Sequence, residues 1–163
     1  MAKVRPIPKG YHTVTPALAV KGGAGFIKFC KKVFGATEVT KMTGPGGIIL
    51  HAELKIGDSY VMVGDEMPGM GNASAATLGG TPATLHVYVP DCDAVYNKAL
   101  KAGATVRMPL ADQFWGDRYG AVVDPFGNAW AIATHIEDVD LPEMKRRAKK
   151  MMKEMAAAGA GGS

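Results

Sequence analysis

One short segment of the chain combines aromatic rings with a guanidinium group. In the sequence FWGDRYG, Phe114, Trp115 and Tyr119 supply flat apolar surface. Arg118 supplies a planar group that can hold a carboxylate or phosphate through two hydrogen bonds. We therefore expect Trp115, Arg118 and Tyr119 to face a pocket for a small organic molecule. The alternative is structural: Trp115 anchors the loop, and Asp117 pairs with Arg118 to hold the turn.

Three other side chains are of the types that bind divalent metal ions. His51 and Glu53 lie two residues apart on a predicted strand and share one face. His86 shares the inward face of another strand with Thr84. A metal site of His51, Glu53 and His86 is one interpretation, because metal ions accept mixed nitrogen and oxygen ligands. In the other, His86 belongs to a pocket wall while His51 and Glu53 form a polar strand face.

These residues belong to a unit that occurs twice. The sequences HAELKIGDSYVMVGD (51–65) and DQFWGDRYGAVVDPFGNAWAIATH (112–135) each run from one alternating strand through a glycine-containing turn into another. Upstream, Val20 matches Val89 and Gly35 matches Gly103 at a nearly constant offset. Two copies at a period of roughly 70 residues indicate a duplicated module rather than a repeat array.

The order of elements in each copy is predicted to be βαβββ. In module one (11–66), alternation predicts a strand over 13–20, and apolar residues spaced by three and four predict a helix ending near Gly35. A short strand over 37–43 and a hairpin over 48–64 complete it. Residues 67–82 are rich in Gly, Ala, Ser and Pro and are predicted to be a linker.

Module two (83–139) repeats this order. A strand begins near Thr84, a helix capped by Asp91 or Asp93 runs to Ala102, and a further strand and the hairpin close the unit. Residues 140–158 predict a basic helix with a methionine face, which we expect to pack on the body or on a twin subunit rather than on a membrane.

Composition and charge limit the classes of partner. The chain has 163 residues and a net charge of +4, but residues 140–163 hold six Lys/Arg against three Asp/Glu, so the body is near neutral. A near-neutral body argues against a nucleic-acid partner. No apolar run reaches the roughly 20 residues of a membrane span, and residues 1–10 do not resemble a signal peptide. Cys30 and Cys92 lack metal-type spacing and are expected to be free thiols, so we expect a cytoplasmic location.

The two modules together resemble the vicinal oxygen chelate superfamily, which includes glyoxalase I, extradiol dioxygenases and bleomycin-resistance proteins. The resemblance covers about residues 11–140. The sequences FWGDRYG and VVDPFGNAWAIATH are similar to its PhnB-like branch. It implies an α+β fold in which two βαβββ modules form curled mixed sheets around a cavity, with a C-terminal helix added.

In the metalloenzymes of this superfamily, inward side chains on the first and last strands of each module hold a divalent ion. The resemblance places Thr15, Val61, Thr84 and Ala131 at those positions. None of them supplies an imidazole nitrogen or a carboxylate oxygen, so we expect no metal and no other cofactor.

The sequence thus predicts a metal-free homodimer that binds a small organic molecule and partners neither nucleic acid nor membrane. Whether it also catalyses a reaction stays open. The alternative is a metal-dependent glyoxalase-like lyase or dioxygenase-like enzyme with a displaced metal site. The predicted ligand-binding residues are Thr15, His51, Glu53, Thr84, His86, Trp115, Arg118 and Tyr119.

Overall fold

A computed structural model describes residues 4–159 of the chain. Module one contains β1 (Ala17–Val20), α1 (Gly23–Phe34), β2 (Thr37–Thr43), β3 (Ile49–Ile56) and β4 (Ser59–Asp65). A short helix, α2 (Ala75–Leu78), follows. Module two contains β5 (Thr84–Tyr88), α3 (Cys92–Lys101), β6 (Thr105–Asp112), β7 (Asp117–Val123) and β8 (Ala129–His135). The helix α4 (Leu141–Gly159) comes last.

Each module forms one open, four-stranded mixed sheet. The strand orders are β1-β4-β3-β2 and β5-β8-β7-β6, in which the first strand pairs in parallel with the last and the others are antiparallel. The predicted α+β fold with two βαβββ modules and a C-terminal helix is therefore confirmed. Each open sheet has two edge strands, β1 and β2 in module one and β5 and β6 in module two.

The two faces of each sheet differ in what covers them. On the helix face of sheet two, Trp130 and Ile132 pack toward the helices, while Ala129, Ala131 and Ala133 lie on the opposite, open face. In sheet one, the same alternation buries alternate residues of β3 and β4 on the helix face. The open faces carry the side chains that chemistry could use.

A single core lies between the two helix faces. Helix α1 contacts α3, and the Phe34 ring lies 4.4 Å from that of Trp130, centroid to centroid. Phe26 also packs against Trp130 and lies edge-on to Phe126 at 5.7 Å. Because aromatic rings from module one rest on strands of module two, neither module buries its apolar face alone.

The last strand of each module holds the start of that module's first helix. The Asp65 carboxylate accepts hydrogen bonds from the backbone N–H groups of Gly22, Gly23 and Ile49 at 2.9, 2.6 and 2.7 Å. In module two, Thr134 Oγ1 accepts from the N–H of Cys92 at 2.9 Å. These bonds satisfy helix donors that have no partner within the helix.

Two sequence predictions differ from the structure in extent. The first strand begins at Ala17 instead of residue 13, because Pro16 has no N–H to donate to the ladder, and Val14 is exposed. The predicted linker also contains α2, which Ser74 caps by accepting from the N–H of Thr77 at 3.2 Å. Glu66 binds the Ser74 N–H and the Thr77 hydroxyl, and these bonds lower its pKa to about 2.

Helix α4 is joined to the body mainly through charge. Arg147 forms a two-bonded ion pair with Glu137, with both N–O distances at 2.7 Å. The outer methionines Met152 and Met155 are 65% and 66% exposed. No helix within residues 4–159 is both long enough and apolar enough to cross a lipid bilayer.

We predict that Asp65→Asn destabilises the fold by about 1 to 3 kcal/mol, because the amide NH₂ would oppose a backbone N–H that the carboxylate now satisfies. The free energy of unfolding in urea measures this. The control is Asp58→Asn in the β3–β4 turn, where the carboxylate accepts only from Ser59. Equal stabilities of the two variants would contradict the role of Asp65.

Candidate ligand-binding site

A cavity of about 680 Å³ lies between the two modules. Its walls come from the segment before β1, the turn between β3 and β4, and the edge strand β5, with Phe34 and Trp130 contributing from the core. Three of the predicted ligand-binding residues line it: Thr15, Thr84 and His86. The structure thus brings polar residues of both modules to one cavity.

An aromatic wall stands on the open face of module two, beside this cavity. The His86 ring lies 4.6 Å from that of Tyr88 and 5.7 Å from that of Tyr119. Trp115 in turn lies 5.7 Å from Tyr119, nearly perpendicular to it. Trp115 and Tyr119 are therefore neighbours of the cavity-lining His86, although they do not themselves line the cavity of about 680 Å³.

A buried carboxylate fixes this wall. Asp117 is 3% exposed and accepts hydrogen bonds from the Tyr88 hydroxyl at 3.0 Å and from Trp115 Nε1 at 2.9 Å. His135 Nδ1 lies 2.8 Å from its other oxygen. Burial by itself would raise the pKa of Asp117, but the bonds from His135, Tyr88 and Trp115 outweigh burial and lower it. The carboxylate thus stays ionised and orients the two aromatic side chains.

His135 lies between two carboxylates. Its Nε2 is 2.9 Å from Asp138 and its Nδ1 faces Asp117. Both contacts, with Asp138 the larger cause, raise the pKa of His135. The Asp117 carboxylate raises the pKa of the Tyr88 phenol, because the phenolic hydrogen is bonded to this anion. His135 thereby ties the end of β8 to the segment leading into α4.

The predicted residues His51 and Glu53 lie on the other sheet. His51 Nε2 is 3.3 Å from Glu53 Oε1, on the open face of module one. Tyr11 stacks on Tyr60 there, with ring centroids 4.2 Å apart. Partial burial and the neighbouring Glu53 carboxylate raise the pKa of Tyr11 to about 12. The pair does not line the cavity that holds His86.

The side chains present do not fit a metal site within one chain. Thr15, Thr84 and Ala131 offer no imidazole or carboxylate, and across residues 4–159 no three His, Cys, Asp or Glu side chains are grouped to hold an ion. The resemblance also placed Val61 inward; Val61 is buried opposite Leu54 and lines the cavity, whereas Met62 takes the open face. A thioether in place of valine supplies no better ligand for a hard divalent ion.

Arg118 lies on the helix face of β7, opposite to Trp115 and Tyr119. Its guanidinium binds both oxygens of Asp93 at the start of α3 and one of Asp112, with N–O distances of 2.5, 2.7 and 3.0 Å. These carboxylates raise its pKa. Arg118 and Tyr119 are consecutive strand residues, so their side chains point to opposite faces. The expectation that Trp115 and Arg118 share a ligand surface is corrected, as is the pairing of Asp117 with Arg118.

Sequence reasoning missed three residues of the open face of module two. Asp117 lies two residues from Tyr119, and Tyr88 lies two residues from His86. Residues two positions apart on a strand share a face, so this spacing could have placed both on the open face. Arg107 had no such signal. A register shift between Val106 and Met108 directs it over the open face, where its Nη1 lies 3.3 Å from Thr84 Oγ1 at the opposite edge of the sheet.

A family model of the Glyoxalase/Bleomycin resistance protein/Dioxygenase superfamily matches residues 12–132. The chain belongs to this superfamily. The resemblance predicted from the sequence is therefore confirmed, and the superfamily's paired modules correspond to the two sheets described above. Membership by itself names neither a ligand nor a reaction.

The chain is also similar to individual proteins. The chain is 43% identical over 135 residues to the uncharacterized protein Rv0887c of Mycobacterium tuberculosis, covering 81% of this chain and 79% of that one. The crystallographic gene product AT5G48480 of Arabidopsis thaliana is 28% identical with a TM-score of 0.62, covering 76% and 98% of the two chains. The PhnB protein of Bacillus cereus is 17% identical with a TM-score of 0.60, covering 76% and 99%, and shows the fold alone.

We predict that the stability contributed by His135 depends on pH. Its folded-state pKa is raised, so its ion pairs stabilise the fold below the unfolded pKa and lose this effect as pH rises through the folded pKa. His135→Gln should therefore lower the urea midpoint more at about pH 5.5 than at about pH 9, on either side of the ordinary histidine pKa. His12→Gln is the control, and a loss independent of pH would contradict the assignment.

Proposed function

We propose that this protein is a metal-free small-molecule-binding protein of the glyoxalase and bleomycin-resistance type. One observation carries the proposal: Thr15, Thr84 and His86, from both modules, meet at a cavity of about 680 Å³. That volume lies within the range of ligand pockets. The proposed action is to sequester or present the ligand.

The composition of the cavity supports an organic ligand. Apolar side chains such as Ile56, Leu85 and Val87 make up much of the lining, and a few hydroxyl and imidazole groups interrupt them. Such a lining removes apolar surface of the ligand from water, while the polar groups fix its orientation. Tyr119 and Trp115 contribute by holding the His86 ring in place from the open face.

One observation favours the alternative of a metal-dependent lyase or dioxygenase-like enzyme. His51 and Glu53 are already in contact, and two ligands of a displaced site would thus be in place. A third ligand would have to come from His86 of a second copy. The ion would then polarise a carbonyl or enolate of the substrate. The two proposals differ in their response to a chelator.

We predict that ligand binding is indifferent to chelation. Proton NMR of a fragment collection of anionic, cationic and neutral compounds should reveal binders that Thr84→Val or His86→Ala weakens. Their affinities should be the same before and after treatment with EDTA, because the cavity supplies no ligand set for an ion. The matched control is Thr43→Val at the end of β2. Affinity that disappears with EDTA and returns with zinc, manganese or iron would establish the metal-dependent alternative.

We further propose a homodimer in which a second copy covers the open faces. Met42 on the open face of module one and Tyr88 on that of module two are 59% and 64% exposed. The strands β1 and β5 also leave unpaired edges, and association is a common way to cover such surface. The cytoplasmic location predicted from the sequence stays a prediction.

The dimer has a direct test in light scattering. At micromolar concentration we expect the mass of two chains. Met42→Glu should shift the equilibrium toward the monomer, because it places a charge on a surface that association would bury. Met70→Glu, at a 79% exposed position between the modules, is the control. A monomer mass for the unmodified protein would overturn the proposal.

A further inference from the structure

An arginine without a carboxylate partner lies over the open face of module two. Within residues 4–159, Arg118, Arg146 and Arg147 each form ion pairs, whereas no carboxylate oxygen lies within 4.0 Å of the Arg107 guanidinium. Its one side-chain hydrogen bond goes to the Thr84 hydroxyl, at 3.3 Å. A guanidinium has five donors, so most of those of Arg107 are available to a ligand.

The position of Arg107 joins two cavities. Arg107 lines a smaller cavity of about 330 Å³, of which α2, Val123 and Ala129 form further walls. Thr84 lines the larger cavity of about 680 Å³. The hydrogen bond between them therefore marks the boundary of the two, and Arg107 is the only charged residue lining the smaller one within the described chain.

Small side chains form the centre of the open face beneath Arg107. Four alanines form the centre of the open face, and all are buried beneath larger neighbours: Ala121, Ala129, Ala131 and Ala133. Ala129 pairs with Thr84 and Ala131 with His86, so these residues form successive rows across the sheet. Residues i and i+2 of a strand are separated by about 6.6 Å. The row that contains Thr84 and the row that contains the His86 ring are therefore separated by about this distance.

We infer that Arg107 and Thr84 form the binding site for the carboxylate of an organic acid, whose apolar body lies toward His86 in the larger cavity. This inference rests on the proposed function and names its ligand class. The Thr84 oxygen accepts from Arg107, which leaves the Thr84 hydrogen free to donate to an anion. Arg107 supplies two parallel N–H donors that match the two carboxylate oxygens.

The shape of the site sets the size of the ligand. A carboxylate at the Thr84 row and a ring at the His86 row are separated by about 6.6 Å, which corresponds to a short chain of two or three carbon atoms between ring and carboxylate. Arylalkanoic acids have this form. A neutral amide of the same shape keeps the ring contact and loses the charge-assisted bonds to Arg107.

The experiment compares 3-phenylpropionate with 3-phenylpropionamide by isothermal titration or NMR titration. We expect the unmodified protein to bind the acid about tenfold or more tightly than the amide, since charge-assisted bonds are the stronger class. Arg107→Met should remove this preference with little change in amide affinity, and Arg107→Lys should restore part of it. Arg146→Met, the same change on α4 remote from both cavities, is the control.

The outcomes separate this inference from the proposal on which it rests. Equal binding of acid and amide, or an acid preference that persists in Arg107→Met, would overturn the assignment of Arg107. Binding of cationic or neutral fragments at the cavity, without any carboxylate, would overturn the ligand class and leave the proposed function intact. If no fragment of any charge binds, both fail. Unchanged urea midpoints of the Arg107 variants exclude misfolding as the cause.

Discussion

The structure depends on the packing of aromatic side chains between the two modules. Phe26 and Phe34 of α1 rest on Trp130 of β8, so the helix of one module covers the sheet of the other. Trp130 is 1% exposed, and its Nε1 donates to the Asp124 carboxylate at 2.8 Å. This shared core directs both helix faces inward and both open faces outward. The larger cavity therefore lies at the margin of this core, where Phe34 and Trp130 line it, and the smaller one lies beside Ala129 on the open face.

Two buried carboxylates, Asp124 and Asp117, each accept several hydrogen bonds and so fix the groups around them. Asp124 accepts the N–H groups of Phe126 and Asn128 in the β7–β8 turn, and Asp117 collects donors from Tyr88, Trp115 and His135. An ionised oxygen with two or three donors repays its own desolvation and fixes the direction of each donor. These bonds hold the β7–β8 turn and the aromatic wall in place. The alanines at the centre of the open face lie between them.

Charge is distributed so that Arg107 stays available on the open face of module two. Arg118 is bound by Asp93 and Asp112, and Arg147 by Glu137 and Glu143. These pairs attach α3 to β7 and α4 to the body. Arg107 alone among the three lies where no carboxylate reaches it. A positive charge with only a hydroxyl for a partner keeps more of its interaction energy for an incoming anion than an arginine that already forms an ion pair.

The periodicity of apolar residues predicted much of the fold from the sequence. The offset between Val20 and Val89 predicted two modules, and the alternation of apolar residues predicted the strands of each. The predictions failed where the sequence pattern did not show which face of a strand a side chain occupies. Arg118 had the right chemistry for a ligand but lies one residue from the open face.

The sequence by itself determined the duplicated βαβββ order and the superfamily, because these depend on residue type and spacing along the chain. Only the tertiary structure decided which side chains meet. Thr15 and Thr84 are 69 residues apart and reach one cavity because the modules share a core. Arg107 reaches Thr84 across two intervening strands through a bulge that leaves no mark in the pattern of residues. Contacts between distant segments depend on register and packing, which residue type alone does not specify.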